Sequence, residues 1–171
     1  MEKKCLIIGK GPSMNLVKDI EFDGTIISCH EPLHKKTNFV CSSDANKFKD
    51  AEIQAILNNI QLVIGIHFAH KKNKIPKEYH SKVIFQKCKH LLTSGIFAME
   101  WAISQGYTIL YTAGIDFYTD DDGIMYPKRH TDPIQLHHRI KEVITDWVKQ
   151  GIKIYKVEKR SILPVEVKFP N

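Results

Sequence analysis

Thr93-Ser94-Gly95-Ile96-Phe97-Ala98-Met99-Glu100-Trp101-Ala102-Ile103-Ser104-Gln105-Gly106-Tyr107-Thr108-Ile109-Leu110-Tyr111-Thr112-Ala113-Gly114 reads as a helix that runs directly into a strand. Glu100 alone carries charge, so the helix is expected to be apolar around its circumference and buried. Gly106 sits where a helix ends in a left-handed residue. The six residues from Thr108 to Ala113 are rich in β-branched and aromatic side chains and read as a strand with both faces covered.

The same alternation extends outward in both directions. Upstream, strands are predicted at Cys5–Ile8, Thr25–Cys29, Phe39–Cys41, Leu62–Ile66 and Val83–Phe85, with a short helix over Met14–Asp19 and helical character over Ala45–Leu57. Downstream, Asp132-Pro133 reads as the cap and first turn of a long helix. Leu136, Ile140, Val143, Ile144 and Trp147 give that helix one apolar face, Gly151 ends it, and Ile152–Val157 is the last expected strand. Apolar strands alternating with helices predict a mostly parallel central sheet with helices on both faces. No repeat or linker interrupts residues 1–171, which read as a single α/β domain of Rossmann-like type.

Composition narrows the class. The chain has 171 residues, enough to bury its own core without disulfides or metals. With 43% hydrophobic and 26% charged residues it is neither disordered nor low-complexity. No run reaches the ~18 apolar residues of a membrane span, and no signal peptide is read at Met1-Glu2-Lys3-Lys4. Cys5, Cys29, Cys41 and Cys88 lack metal-ligand spacing and are expected to be reduced thiols, which fits a cytoplasmic location. The net charge is +6, with clusters at Lys71-Lys72-Asn73-Lys74 and at Lys128-Arg129-His130. Neither cluster has the interleaved aromatics of a nucleic-acid platform. A nucleotide, a phosphate or peripheral contact with the inner membrane face remains open as the anionic partner.

In open parallel sheets, ligands bind beyond the carboxyl ends of the strands. The candidates are therefore Gly9-Lys10-Gly11-Pro12-Ser13 after the first strand, His30 and Glu31 after the second, Ser42, Ser43 and Asp44 after the third, and Asp116 with Tyr118 after the strand ending at Ala113. Gly9–Ser13 is neither GxGxxG nor a P-loop, and it reads equally as a plain turn or a phosphate cradle. Asp116 reads as a ligand contact or as a turn-forming hydrogen bond. Asp120-Asp121-Asp122-Gly123 reads as an exposed turn or as a Mg²⁺ or Mn²⁺ site. His67, His70, His80 and His90 lie in polar stretches, and His137 and His138 fall off the apolar face of the last helix. His130 stands apart, in a loop at the active edge, where an imidazole suits a general base.

Two blocks carry a resemblance: Thr93-Ser94-Gly95-Ile96-Phe97-Ala98-Met99, and Gly114-Ile115-Asp116-Phe117-Tyr118 after Gly106-Tyr107. With Ile7-Ile8-Gly9-Lys10-Gly11-Pro12-Ser13, they resemble the bacterial sialyltransferases typified by the Campylobacter lipooligosaccharide enzymes, glycosyltransferase family 42. The resemblance implies a nucleotide fold that binds a CMP-sugar and transfers sialic acid or a related sugar to a glycan acceptor, inverting, without metal. It implies that Tyr118 and Tyr126 hydrogen-bond the departing phosphate and that His130, approximately placed, is the general base. Gly9, Lys10, Gly11, Pro12, Ser13, His30, Ser42, Ser94, Gly95 and Asp116 would meet the nucleotide. Oligomers are common in the family, so a homo-oligomer is a further expectation, with bacterial or phage glycans as acceptors.

The chain also departs from that pattern. Lys10 and His30 stand where the family has Asn, Leu91 stands where it has Arg, and the lid at about 119–130 is shortened. A metal-dependent transferase of nucleoside-diphosphate sugars using Asp120–Asp122 stays open, as does a non-catalytic relative that binds nucleotide or glycan.

Overall fold

The computed structural model describes residues 2–43, 60–67, 69, 77–90, 92–116 and 133–170. The helical reading of 45–57 and the expected lid at 119–130 lie outside them. Eight strands form one sheet in the order β5-β4-β3-β2-β1-β6-β7-β8. They are β1 (Lys4–Ile8), β2 (Thr25–Cys29), β3 (Phe39–Ser42), β4 (Gln61–Gly65), β5 (Val83–Gln86), β6 (Ile109–Ala113), β7 (Lys153–Lys156) and β8 (Glu166–Val167). Every neighbouring pair is parallel. The chain grows outward from β1 to one edge, then returns to add β6 on β1's other side. The strand order therefore reverses between β1 and β6, which is where an open α/β sheet leaves a crevice at its carboxyl edge.

Two long helices cover one face. Helix α1 spans Ser94–Ser104 and α2 spans Pro133–Lys149. Ile96, Phe97 and Trp101 of α1 pack with Cys5, Ile7, Ile27, Cys41 and Val63 of the sheet, and Leu136, Ile140, Ile144 and Trp147 of α2 join the same cluster. Helix α1 is buried nearly all round, as its apolar sequence requires, whereas α2 buries one stripe. On the opposite face a 3-10 helical turn, Pro12–Leu16, leads into a segment whose Val17 and Phe22 pack on Leu6, Ile8, Ile26 and Tyr111. The short helix expected over Met14–Asp19 is thus a tighter turn starting earlier, because Pro12 presets its first residues.

Both long helices end alike. Gly106 (φ +81°) and Gly151 (φ +89°) are left-handed. Tyr107 N–H donates to Ala102 C=O and Gly106 N–H to Ile103 C=O, with Ile152 to Trp147 and Gly151 to Val148 as the counterpart. These paired bonds satisfy carbonyls that would otherwise be orphaned, and each drops the chain into the next strand.

Strand β8 has no counterpart in the sequence reading. It is two residues long, beside Tyr155 and Lys156 of β7. Val165-Glu166-Val167-Lys168-Phe169 alternates apolar and polar residues, but the run is short and follows Pro164. Tertiary contacts make it: Lys156 Nζ donates to Ser161 C=O (2.6 Å) and Leu163 C=O (2.9 Å), and Ile162 N–H donates to Asp116 C=O (3.1 Å). Cys5, Cys29, Cys41 and Cys88 are free thiols, the first three buried. No helix among the described residues is long and apolar enough to cross a membrane.

Candidate functional site

The ends of β1 and β6 are locked together at the reversal point. Gly9 N–H donates to Ala113 C=O (2.7 Å) and Gly11 N–H to Gly114 C=O (2.9 Å). A Cβ on Gly9 would lie 2.4 Å from the Gly114 carbonyl oxygen, and one on Gly11 would lie 2.6 Å from Asp116 Oδ2. Both glycines are required by this loop-to-loop approach. Gly114 is left-handed (φ +65°), and its Cβ would lie 2.1 Å from the Gly9 carbonyl oxygen.

Ser13 and Asp116 clasp the same junction. Ser13 N–H donates to Asp116 Oδ2 (3.0 Å), its hydroxyl donates to Oδ1, and Gly114 N–H donates to that hydroxyl (2.7 Å). Both side chains are buried. Burial pushes the Asp116 carboxyl above its ordinary value, and the two bonds from Ser13 oppose that rise. Met14 N–H donates to Gly11 C=O. The amide donors of residues 9, 11, 13 and 14 are therefore turned inward. The loop faces outward with Lys10, not with a ring of amides.

Three further elements end at this edge. His30, after β2, is a left-handed residue (φ +69°). That conformation costs a non-glycine residue about 1 kcal/mol, and such positions cluster at functional sites. Its N–H donates to Cys41 C=O (3.0 Å), and its Nδ1 lies 3.5 Å from Ser42 Oγ, the outer limit of a hydrogen bond. Glu31 follows and pairs with Lys10 at 2.7 Å. After β3, Ser43 N–H donates to Ser94 Oγ (3.1 Å), and the two hydroxyls are 3.0 Å apart.

Ser94 opens α1. Thr93 caps that helix by accepting from Ile96 N–H (3.2 Å). Gly95 is in close contact with Ile115: a Cβ there would meet its side chain at 2.9 Å. The N-terminus of α1 is thus seated against the loops after β3 and β6, with Lys10, His30 and Glu31 on the loops after β1 and β2. A wide cavity of about 470 Å³, lined by Ile152, Tyr155, Val165 and others, lies at the amino end of β7 and is not part of this edge.

The structure thus brings Gly9, Lys10, Gly11, Pro12, Ser13, His30, Ser42, Ser94, Gly95 and Asp116 to one edge of the sheet. Tyr118, Tyr126, His130 and Asp120–Asp122 lie outside the described residues. Among the described residues no three of His, Cys, Asp and Glu gather as metal ligands. Of the histidines read as surface groups, His67 is exposed and His80 and His90 are half-buried; His137 is half-buried and His138 exposed, while His70 lies outside the described residues. His34 is buried, with Nε2 3.0 Å from Ile20 C=O and Nδ1 accepting from Lys36 N–H (2.9 Å). It pins the β2–β3 connection, and its polar surroundings in the sequence carry no sign of that.

No family model matches the chain, and no curated protein does. Solved structures do match. The sialyltransferase CstII from Campylobacter jejuni, in complex with a trisaccharide acceptor and CMP, is 17% identical with a TM-score of 0.61, covering 98% of this chain and 87% of that one. The monofunctional alpha-2,3-sialyltransferase Cst-I from Campylobacter jejuni is 18% identical with a TM-score of 0.62, covering 99% and 82%. The MAf glycosyltransferase from Magnetospirillum magneticum AMB-1 is 12% identical with a TM-score of 0.61, covering all of this chain and 33% of that protein. The chain shares the fold of these Campylobacter enzymes over nearly its whole length.

Proposed function

We propose that this chain is a sialyltransferase-like glycosyltransferase that takes a CMP-sugar as donor and a glycan as acceptor. The observation that carries the reading is the convergence at the β1/β6 reversal. The loops after β1, β2, β3 and β6 and the N-terminus of α1 meet there, in a fold shared with a sialyltransferase solved with CMP and an acceptor. Thr93 and Ser94 fix the start of α1, whose N-terminal dipole favours an anionic group. Asp116 acts through Ser13, holding the first loop in place, and Ser94 offers a hydroxyl already oriented by Ser43. His130 takes the acceptor hydroxyl's proton, and Tyr118 and Tyr126 hydrogen-bond the departing phosphate, so that negative charge is met as it develops. Attack opposite the leaving phosphate inverts the anomeric centre.

The test is calorimetric titration with CMP, CDP, UDP and GDP, each with and without Mn²⁺, followed by a CMP-sialic acid turnover assay. Metal-independent binding of CMP and turnover that survives EDTA are expected. In the same assay His130→Ala should lower turnover at least ~100-fold while CMP affinity stays within ~2-fold. Binding that requires Mn²⁺ would transfer the reading to Asp120–Asp122. Binding without turnover is the second reading. The replacement of the family's asparagines by Lys10 and His30 favours it.

A further inference from the structure

We infer that Lys10 and Glu31 form an exchangeable ion pair at the mouth of the site. Lys10 is the cation that meets a ligand's phosphate, and Glu31, its ion-pair partner, competes with the ligand for it. The inference rests on reading this edge as a nucleotide-sugar site and names what in this chain supplies charge to the phosphate.

Three observations carry it. First, the amide donors of residues 9, 11, 13 and 14 are all engaged within the protein. Those four amides are not available to a phosphate, so beside the N-terminus of α1 a side chain is the source of counter-charge at this loop. Second, among residues 9–13, 30–31, 43, 94–95 and 114–116, Lys10 is the sole lysine or arginine. Third, Lys10 already holds an anion. Glu31 lies 2.7 Å from its ammonium, reaching across from the end of the neighbouring strand just past the left-handed turn at His30.

The pair's exposure makes exchange cheap. The two side chains are 47% and 38% exposed. An ion pair that wet is worth little, so it can open for a better partner. A phosphate carries more charge and more acceptor oxygens than a carboxylate and draws a lysine more strongly. Once Lys10 turns to the phosphate, Glu31 is left as a like charge near it and lowers the affinity. The two residues thus have opposite effects on binding, although they pair with each other. A merely structural salt bridge predicts the same sign for both.

The experiment is calorimetry of the full chain with cytidine, CMP and CDP, comparing the parent protein with Lys10→Met and Glu31→Gln. Lys10→Met should weaken CMP at least ~10-fold, and Glu31→Gln should tighten it ~3–10-fold, as a single charge a few ångströms away does in water-like surroundings. Both effects should be larger for CDP and absent for cytidine, which has no phosphate. Melting temperatures of both variants should stay within about 3 °C of the parent's. If the parent binds CMP and neither variant changes its affinity, the exchange is wrong while the nucleotide site stands. If Glu31→Gln weakens CMP as Lys10→Met does, or either variant melts far below the parent, the pair is structural and the exchange falls. If neither the parent nor Glu31→Gln binds cytidine, CMP or CDP, the nucleotide reading falls and takes this inference with it.

Discussion

Gly114 and Gly106 are both left-handed, yet they answer to different forces. Around Gly106 nothing lies within 4 Å of an added Cβ, whereas at Gly114 that atom would lie 2.1 Å from the Gly9 carbonyl oxygen. Gly106→Ala should cost about 1 kcal/mol, the penalty of the backbone conformation alone. Gly114→Ala adds a backbone clash that no side-chain rotation relieves, and should cost on the order of 3 kcal/mol or more. Denaturant unfolding of the two variants measures the gap, and equal losses would mean the β1 and β6 loops are not locked. Asp116 adds a pH signature at the same junction. Its carboxyl is raised above the ordinary 3.8, chiefly by burial. The folded protein therefore holds this proton more tightly than the unfolded chain does. The stability contributed by that proton is present below about pH 3.8 and is lost as pH rises through the raised value. Relative to Asp116→Asn, the parent should lose stability across that window. A difference that stays flat with pH, read from melts between pH 3.5 and 7, would contradict the burial argument.

At the scale of the element, α1 couples local signals to the site. Its cap, its apolar body and its closing glycine are all legible in the residues from Thr93 to Gly106. Its partners are not, because Ser43 and Ile115 reach it from loops distant in sequence. Thr93→Ala removes the hydroxyl that accepts from Ile96 N–H and should cost about 1 kcal/mol. It should also weaken CMP more than its stability loss suggests if, as proposed, the first turn of α1 meets the nucleotide. Thermal unfolding and CMP titration of one preparation check both. Helix α2 was equally readable from Leu136, Ile140, Ile144 and Trp147, because a helical stripe needs only spacing. Strand β8 was not: the alternation of Val165, Val167 and Phe169 with Glu166 and Lys168 is short, and its pairing depends on Lys156, whose Nζ holds the Ser161 and Leu163 carbonyls and whose own carbonyl accepts from Lys168 N–H.

The whole molecule sets the reactivity of its thiols. Burial pushes Cys29 and Cys88 up to about 12, and lifts Cys5 and Cys41 well above the usual range. At pH 8 the native protein should therefore take up almost no thiol-alkylating reagent over minutes, while the unfolded chain should label at four sites. Mass spectrometry of the two samples decides it, and fast native labelling at Cys29 or Cys41 would mean that the sheet core opens readily. These cysteines sit in the sheet or beside it because Cys behaves there as a small hydrophobe.

The sequence by itself determined the fold class and the edge of the sheet where the candidate residues gather. Apolar runs of strand length between helical stripes allow little but a covered parallel sheet, and such a sheet puts its polar loops at one edge. The paired blocks at 93–99 and 114–118 point to the same architecture. Tertiary structure alone decided how those loops are used. Gly9 and Gly11 allow close backbone approach to Gly114 and Asp116, Asp116 serves Ser13, and Lys10 is matched with Glu31. Each of these depends on atoms brought together from positions far apart in the chain. A local pattern records what a residue can do; what it meets is settled only when the sheet assembles.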